Sequence, residues 1–427
     1  MTYREAIEFL YNLRLFGVKF GLENTLKLAA LAGNPHQNLR FIHVAGTNGK
    51  GSTCAMLENI YRTAGLRVGL FTSPHLVAFG ERIQVNRHPI TEADAVRLAE
   101  GIQPLLKEFP SSAHPTFFEV VTLMALRYFA EQKVDLVLWE TGLGGRLDAT
   151  NIVNPLASVI TNIQLDHEKW LGYTLSAIAA EKAGIIKPGI PVITSEENYE
   201  SLCVIADTAN RHRSPLTKVT RADIKRPPLD KLRLPLLGDH QQINATLALA
   251  TVRVLNSQIP VSEEAAKAGL AGVQWPGRLQ IARPALGRTI LLDGAHNPAG
   301  AKALRAALQK LYPNMLLTLV FGVMQDKDWH TMCQILAPLA GRIALAPVSS
   351  DRSASPQSMR EFCQQLNPYA EVLACPSLKE ALNRTASDPV VLVTGSLHFV
   401  GEAMEHLKLT ARPEQDERGL NDWPATR

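Results

Sequence analysis

The sequence predicts an α/β protein in which a P-loop-type domain with a mostly parallel sheet is followed by a smaller Rossmann-like α/β domain. Three observations lead to this prediction. Short apolar segments alternate with segments of helical periodicity, and strands separated by helices form parallel sheets covered on both faces. A glycine-rich loop at residues 46–52 follows the first apolar strand. The alternation begins afresh after the Trp275–Arg278 segment, which indicates a second domain.

The first domain is expected to span residues 1–280. Its first strand, at 40–46, is an apolar run that leads into the glycine loop, and a helix at 52–65 follows the loop. The polar, basic and proline-containing stretch 205–235 separates the last strand from the last helix. The other strands are predicted at 67–72, 134–140, 156–162 and 190–194, and the other helices at 91–107, 117–132, 174–184 and 241–255.

The second domain is expected at 289–410, after a linker at 281–288. The final residues, 411–427, have little apolar periodicity and are predicted to be a loose tail. The strands are predicted at 289–294, 316–323, 342–348, 370–374 and 390–395, and the helices at 298–311, 328–339, 356–366 and 377–386, with one more after the last strand.

The composition is that of a cytoplasmic enzyme. The chain has 427 residues, 46% of them hydrophobic, and its 44 basic against 40 acidic residues give a net charge of +4. This excess is too small, and too evenly spread, to indicate a nucleic-acid partner. The five cysteines form no C-x-x-C pair, which argues against zinc and disulfides. No apolar run is long enough to cross a membrane, and the amphipathic N-terminus does not resemble a signal peptide.

The glycine loop, AGTNGKGS, is the most informative motif. Glycines allow main-chain N–H groups to surround a phosphate, the following helix N-terminus adds partial positive charge, and Lys50 can reach the outer phosphates. The spacing departs from G-x-x-x-x-G-K-[ST], because Val44 stands at the first glycine position and Gly51 separates Lys50 from Ser52. The alternative is an ordinary turn between a strand and a helix.

Three side chains are candidate Mg²⁺ ligands because each follows a predicted strand, where open α/β sheets bind ligands. Glu140 ends the strand 134–140, in the position of the metal-holding acid of P-loop proteins. Ser73 could donate an oxygen, and His167 could bind through a neutral ring nitrogen. The alternatives are a solvated acid, a serine in a turn and a surface histidine.

Lys182 lies on the helix stripe that should face the core, because Leu175, Ile178 and Ala179 follow i, i+3, i+4 spacing and Lys182 is at i+7. Burial lowers the pKa of an amine, and a neutral amine near a cation can take up CO₂ to form a carbamate that supports a metal site. In the alternative reading, the lysine stem lies along apolar surface and the amine reaches water or Glu181.

In the second domain, LLDGAHNP (291–298) predicts a strand, a polar turn and a helix that starts with proline. Asp293 could accept ribose hydroxyls, and His296 could contact a phosphate or a substrate carboxylate. The same residues also predict a helix capped by Asn297 with Pro298 at its first position. The two readings are compatible.

Together these segments resemble the bacterial folylpolyglutamate synthase and dihydrofolate synthase family of the Mur-ligase-like superfamily. The resemblance extends from about residue 3 to 408. SPHL with ERI, and GLGGRLDATN, are specific to the folate branch. The matching segments are FGVKFGLENT (16–25), HVAGTNGKGST (43–53), FTSPHLVAFGERI (71–83), TFFE (116–119), ETGLGGRLDATN (140–151), LDHEKWLG (165–172), AAEKAGIIKPG (179–189), HQQINA (240–245), WPGRL (275–279), LDGAHNP (292–298), FGVMQDKDW (321–329) and TGSLHFVGE (394–402).

The resemblance implies residue roles. ATP would contact Gly49, Lys50, Gly51, Ser52, Asn244, Arg278 and Asp293; two Mg²⁺ ions would be held through Ser73, Glu140 and His167; Lys182 would be carbamylated; and Lys50, Lys182 and His296 would be catalytic. The pteroate or folate site would comprise Thr116, Phe117, Phe118, Glu119, Arg146, Leu147, Asp148 and Ala149. An acid such as Asp148 can accept paired N–H donors of a pterin, and Phe117 or Phe118 can pack on its ring.

Two segments of the second domain depart from the family pattern. His398 stands where an aromatic residue is expected, and SSDRSA (349–354) is a loose version of an arginine motif. The glutamate pocket is therefore the part of the site that the resemblance defines least.

The implied reaction is the ATP-dependent addition of L-glutamate to folate, and in the bifunctional form of the family also to dihydropteroate, through an acyl phosphate. The enzyme is expected to be a monomer whose domains close on the substrates. Two other functions remain open at this point. One is a Mur-type ligase for a UDP-linked acid, against which the folate-branch segments argue. The other is a P-loop protein, such as a kinase or an ATP-gated binding module, that is not a ligase.

Overall fold

A computed structural model of the chain describes residues 1–17, 21–284, 288–411 and 413–421. Residues 285–287 of the predicted linker, and 412 and 422–427 of the predicted tail, lie outside the described residues. Within the described ranges, no helix combines the length and apolar character that crossing a bilayer requires.

The first domain is built on an eight-stranded sheet with the order β4-β3-β2-β5-β1-β6-β7-β8. All its described pairings are parallel except those of β3 with β2 and β4. The strands are β1 Phe41–Ala45, β2 Val68–Phe71, β3 Ile83–Val85, β4 His88–Pro89, β5 Leu136–Glu140, β6 Ala157–Ile160, β7 Val192–Thr194 and β8 Leu216–Lys218.

Helices cover both faces of this sheet. Every residue of β1, β5 and β6 is therefore buried, whichever face its side chain is on. One apolar core packs α5 and the N-terminal helices on one face, and a second packs α3 and α9 on the other. The helices are α1 Tyr3–Leu13, α2 Glu23–Leu31, α3 Lys50–Thr63, α4 Glu92–Leu106, α5 Phe117–Glu131, α6 Glu168–Leu171, α7 Leu175–Ala183, α8 Tyr199–Arg211, α9 Asp239–Val254 and α10 Glu263–Ala271.

The second domain contains a six-stranded sheet with the order β13-β12-β11-β14-β10-β9, parallel except for β9. Its elements are β9 Gln280–Ala282, β10 Thr289–Asp293, α11 Pro298–Leu311, β11 Leu317–Phe321, α12 Trp329–Leu336, β12 Ala340–Leu345, α13 Pro356–Leu366, β13 Glu371–Ala374, α14 Leu378–Arg384, β14 Val390–Thr394 and α15 Leu397–His406. The predicted α/β fold class, with two successive sheets, is confirmed.

The structure differs from the sequence prediction at the linker. Residues 281 and 282 belong to β9, which pairs antiparallel with β10, so the second sheet begins before the predicted boundary. A three-residue strand has too few residues for alternation to distinguish it from a loop.

The predicted loose tail is also wrong for residues 413–421. A 3₁₀ turn at Arg418–Asn421 packs on the first domain, and Glu417 and Leu420 are each 1% exposed. One apolar side chain and several hydrogen bonds anchor this segment, and neither produces a periodic pattern.

The topology determines where chemistry can occur. The carboxyl ends of β2, β5, β1 and β6 are neighbours at one edge of the first sheet, with Val44 of β1 paired to Glu140 of β5. In the second domain, β10, β11 and β14 likewise end side by side. Ligands of open α/β sheets bind at such ends.

Candidate active site

The glycine loop connects β1 to α3, and its conformation depends on glycine. Gly46 and Gly49 have φ angles of 147° and 87°, which side-chain-bearing residues rarely adopt. A Cβ atom on Gly49 would lie 2.6 Å from Asn244 Oδ1, so the predicted nucleotide contact Asn244 packs against the loop. Gly51 and Ser52 lie in the first turn of α3, which directs main-chain N–H groups toward the loop.

Lys50, the first residue of α3, folds back over the loop. Its Nζ donates to the carbonyl oxygens of Gly46, at 3.2 Å, and Thr47, at 3.3 Å, and lies 4.0 Å from Glu140 Oε1. The ammonium is therefore held at the edge of the cradle by weak partners. A polyphosphate is a stronger partner for a partly buried cation.

Glu140 is 4% exposed at the end of β5. Burial raises its pKa to about 6, although Lys50 and the main-chain N–H of Ser73 favour the carboxylate. The Ser73 N–H donates to Glu140 Oε2 at 3.2 Å, so two of the predicted metal ligands are in contact. A buried carboxylate whose nearest cation lies 4.0 Å away suits a divalent ion.

The third predicted metal ligand, His167, follows β6. Burial and the nearby Lys327 lower its pKa to about 3, so its imidazole is neutral and able to bind a metal. The described residues contain no group of three or more His, Cys, Asp and Glu side chains placed to hold a metal ion. Since the predicted set contributes only two such residues, further oxygen ligands would have to come from bound phosphates or a modified side chain.

Lys182 of α7 is 5% exposed, which confirms that this lysine faces the interior. Its Nζ donates to the Gly46 carbonyl oxygen at 2.8 Å, so the amine contacts the glycine loop and not Glu181. Burial, and then the charge of Lys50, lower its pKa to about 7. The neutral form of the amine is therefore accessible at neutral pH.

The predicted residues of the second domain lie at the end of β10 and in the turn that follows it. Asp293 is buried, and its oxygens accept from the main-chain N–H groups of Leu279, at 2.8 Å, and Ala295, at 2.9 Å. Arg278 lies beside Gly294, and its charge favours the ionised forms of both Asp293 and Glu140. Asn297 caps α11 and Pro298 is its first residue, as the sequence predicts.

His296 is neutral and has a defined tautomer. Burial and the charge of Lys327 lower its pKa to about 4. Its Nδ1 lies 2.8 Å from the Gly294 carbonyl oxygen, which can only accept, so Nδ1 carries the proton and Nε2 has a free lone pair. That Nε2 lies 3.7 Å from Asp166 Oδ2.

Asp166 of the first domain connects the two domains. Its oxygens accept from Lys327 Nζ, at 2.7 Å, and Asn297 Nδ2, at 3.0 Å, both from the second domain. Burial opposes ionisation, but the charge of Lys327 outweighs it, so the pKa of Asp166 lies well below its usual range. Asn297 also exchanges amide hydrogen bonds with Asn48 of the glycine loop, at 3.3 and 3.1 Å.

A cavity of about 620 Å³ lies between the domains, beside this connection. Arg82, Lys327 and Arg352 contribute positive charge to its walls. Both segments that depart from the family pattern contribute to the wall, through His398 and Arg352. The predicted site residues that line it are Ser73, Thr116, Phe117, Phe118, Glu119, Leu147, Asp148, Ala149, His167 and His296.

Three of these residues, Thr116, Glu119 and Asp148, also make hydrogen bonds that stabilise the fold. Thr116 and Glu119 form the capping box of α5. The Asp148 carboxylate accepts from the main-chain N–H of Leu143, at 2.7 Å, and of Thr150, at 3.0 Å, and from the Thr150 hydroxyl. These bonds occupy most of its accepting capacity, which leaves little for the paired pterin contact expected from the sequence.

Arg146, which the resemblance places in the substrate site, pairs with Glu181 in this structure. Arg146 does not line the cavity as described; its guanidinium donates to Glu181 Oε1 at 2.7 Å, and its side chain is 56% exposed. Arg146 and Leu147 lie in one turn, but only Leu147 lines the cavity.

Sequence reasoning missed several functional candidates. Asp166 lies inside the LDHEKWLG segment and Lys327 inside FGVMQDKDW, two segments that match the family. The sequence does not show that these two residues form a pair. Arg82 and Asn421 lie in contact across the cavity wall, 339 positions apart in sequence. Nothing in either local sequence indicates that contact.

Two family matches cover most of this architecture. Residues 44–217 match the Mur ligase middle domain, and residues 277–397 match the Mur ligase glutamate ligase domain. These matches, with the loop and the interdomain cavity, define a Mur ligase. Mur ligases of this kind are ATP-dependent enzymes that form amide bonds.

Individual relatives narrow the family. The chain is 36% identical to the dihydrofolate synthase/folylpolyglutamate synthase of Bacillus subtilis over 95% of this chain and 99% of the relative. It is 35% identical to a solved folylpolyglutamate synthase from Thermotoga maritima, with a TM-score of 0.82 over 97% of this chain and 98% of that one. A solved E. coli FolC in complex with DHPP and ADP matches with 32% identity and a TM-score of 0.83, over 96% of this chain and 98% of that chain. The chain belongs to the folylpolyglutamate and dihydrofolate synthase family.

Proposed function

We propose that this ligase joins the amine of L-glutamate to a carboxylate of a folate or of dihydropteroate, at the expense of ATP. The observation that carries the proposal is the single cavity in which Ser73 and His167 of the metal side, the aromatic wall Phe117–Phe118 and His296 of the second domain meet. A flat aromatic acceptor suits the Phe wall, and an anionic acceptor and amino acid suit the surrounding cations.

The chemistry follows from the poor leaving group of a carboxylate. ATP transfers its terminal phosphoryl group to the acceptor carboxylate, which gives ADP and an acyl phosphate. The amine of glutamate then attacks the acyl carbon, phosphate departs with the electron pair of the C–O bond, and the amine loses a proton. The products are the amide, ADP and phosphate.

The residues of the chain bind the nucleotide, neutralise the charge of its phosphates and orient the reacting groups. Lys50 and the main-chain N–H groups of the loop would neutralise charge on the terminal phosphates. Asn244, Arg278 and Asp293 would hold the rest of the nucleotide between the domains. His296, with the lone pair of Nε2, would accept a hydrogen bond or a proton from the attacking amine.

Glu140, Ser73 and His167 would hold Mg²⁺, as the burial of Glu140 and the neutrality of His167 support. The ion would supply Lewis-acid stabilisation of phosphoryl charge. We propose two such ions, the second supported by a carbamate on Lys182, whose amine is buried, partly neutral and close to the cation Lys50.

An ADP-release assay with each co-substrate omitted in turn tests the proposal. ADP should form only when ATP, Mg²⁺, glutamate and an acceptor are all present, and mass spectrometry should detect an acceptor heavier by one glutamyl residue. Dihydropteroate and tetrahydrofolate, supplied separately, distinguish one activity from two. ADP release that is equally fast without glutamate would contradict the proposal.

A further inference from the structure

The segment Glu417–Asn421 crosses from the second domain to the first beside the acceptor cavity. Arg418 forms an ion pair with Glu405 of α15 at 3.1 Å, which ties the segment to the second domain. Leu420 is buried in the apolar core of the first domain. Asn421, at the end of the 3₁₀ turn, lines the cavity itself.

Hydrogen bonds fasten the segment to the loop that follows β2. The main-chain N–H of Phe79 donates to Glu417 Oε2 at 2.6 Å, and Asn421 Nδ2 donates to the His75 carbonyl oxygen at 2.9 Å. His75 Nε2 lies 3.0 Å from the Glu417 carbonyl oxygen. A carbonyl only accepts, so His75 carries its proton on Nε2 and presents Nδ1 as an acceptor.

Both contacts converge on Arg82. Its Nε donates to His75 Nδ1 at 2.8 Å, and its Nη2 donates to Asn421 Oδ1. Two faces of the guanidinium are therefore held by the segment, one directly through Asn421 and one through His75, whose orientation the Glu417 carbonyl fixes. The guanidinium also lies 5.3 Å from the centre of the Phe117 ring.

Arg82 has the environment of an anion-binding residue. It is 3% exposed and lines the cavity, and burial lowers its pKa to about 10. In the described part of the chain, no carboxylate lies within ion-pair distance of it, and both its hydrogen-bond partners are neutral acceptors. Glu81 and Glu140 favour its charge only from beyond ion-pair distance. A buried cation without a contacting counter-ion is costly, and an anionic ligand reduces that cost.

We infer that Glu417–Asn421 is part of the acceptor site and that Asn421 is a positioning residue, which aims Arg82 at a carboxylate of the acceptor. The inference rests on the proposed function for the identity of the acceptor. The same carboxylate chemistry would apply to any anionic ligand of this cavity.

Asn421→Ala tests the inference by separating charge recognition from general packing. Folate and its uncharged dicarboxamide are compared as ligands of the full-length wild type and variant by calorimetry. We expect the variant to bind folate about tenfold more weakly and the dicarboxamide with less than about twofold change. The KM for ATP and the melting temperature should stay close to those of the wild type.

Two further variants complete the experiment. Glu414→Ala changes an exposed residue just before the segment and should bind both ligands as the wild type does. Asn421→Ser keeps a smaller group that can donate and accept, so its folate affinity should lie between those of wild type and Asn421→Ala. It also serves if the alanine variant is unstable.

Equal weakening of folate and dicarboxamide binding, or no weakening of either, would overturn the inference. The proposed function can fail separately, because that failure is the absence of glutamate-dependent ADP release in the wild type. An active wild type with an unaffected Asn421→Ala leaves the proposed function standing and removes only the role of the segment.

Discussion

The glycine loop and the acceptor cavity are assembled in different ways. The loop is one contiguous stretch of sequence, against which Asn244 and Lys182 pack. The cavity takes its walls from both domains and from the segment that precedes the end of the chain. Phosphate chemistry can thus be read from local sequence, whereas acceptor recognition depends on contacts that only the tertiary structure creates.

The largest expected effect tests the loop. Lys50→Ala removes the one side-chain cation that the loop itself supplies, so we expect ADP release to fall by at least about 10³-fold. Its Nζ bonds two loop carbonyls at 3.2 and 3.3 Å, which are individually weak contacts, so the melting temperature should change little. Coupled ADP assays and thermal unfolding measure the two effects.

Lys50→Arg is the matched control, because it keeps the charge and changes its geometry. It should retain more activity than alanine while remaining well below wild type. Full activity in Lys50→Ala would show that the loop does not carry the phosphate chemistry.

Lys182→Ala should lower activity by about 10²-fold, with partial recovery when short carboxylates such as formate or acetate are added. The physical reason is that these anions replace the negative charge that a carbamate would supply. Steady-state ADP release with increasing acetate measures the recovery.

Lys187→Ala is the control for Lys182→Ala, because it removes a partly buried lysine that does not contact the glycine loop. Burial also lowers the pKa of Lys187, but its Nζ donates to the Asn151 carbonyl oxygen at 3.1 Å, away from the loop. It should lose little activity and gain nothing from acetate. An acetate response in both variants, or in neither, contradicts the carbamate proposal.

Asp166 tests the contact between the two domains, which lies beside both the loop and the cavity. Asp166→Asn and Lys327→Met each break the buried interdomain pair. We expect kcat to fall about tenfold, because the two domains are then no longer held in one relative orientation. The double variant should cost little more than either single one, because both remove the same interaction. Kinetics of the three variants give the coupling.

Lys310→Met provides the comparison for an exposed interdomain pair. Lys310 of α11 pairs with Asp239 of α9, and the two side chains are 64% and 55% exposed. Exposed pairs contribute little, so this variant should keep its kcat within about twofold. A tenfold loss here would mean that any interdomain charge matters, and that Asp166 has no special position.

Glu140 gives a pH-dependent prediction on stability. Its folded-state pKa is raised to about 6, so protonation favours the folded protein, and this contribution is lost as pH rises through about 6. Without Mg²⁺, the wild type should therefore carry a penalty of at most about 2 kcal/mol at pH 8 that disappears as the pH falls below 4.5. Glu140→Gln should be relatively more stable than wild type at pH 8 than at pH 5.

Added Mg²⁺ should reverse this difference, because it stabilises the wild type through the carboxylate and leaves the glutamine variant unchanged. Thermal unfolding at both pH values, with and without Mg²⁺, provides the measurement. A pH-independent difference between the two proteins would contradict the raised pKa.

The same contrast explains how far sequence reasoning reaches. The core strands and the helices that flank them have strong apolar patterns, and their order brings Glu140, Ser73 and the glycine loop to one sheet edge. Burial of Lys182 followed from helical spacing alone. The hairpin strands β3 and β4, and β9, are too short to have a pattern, and a single hydrophobic anchor, Leu420, holds the terminal segment.

The smallest expected effect is that of Arg146→Ala, which tests whether all residues of one motif share a role. The resemblance assigns residues 146–149 of the GLGGRLDATN motif to the substrate, but the Arg146 guanidinium pairs with Glu181 and its side chain is 56% exposed. We expect Arg146→Ala to lower stability by less than about 0.5 kcal/mol and to leave the KM for the acceptor within about twofold of wild type. Leu147→Ala, next to it in the motif but in the cavity wall, should raise that KM clearly. Equal increases in both variants would mean that the loop rearranges when the acceptor binds and that the motif acts as one unit.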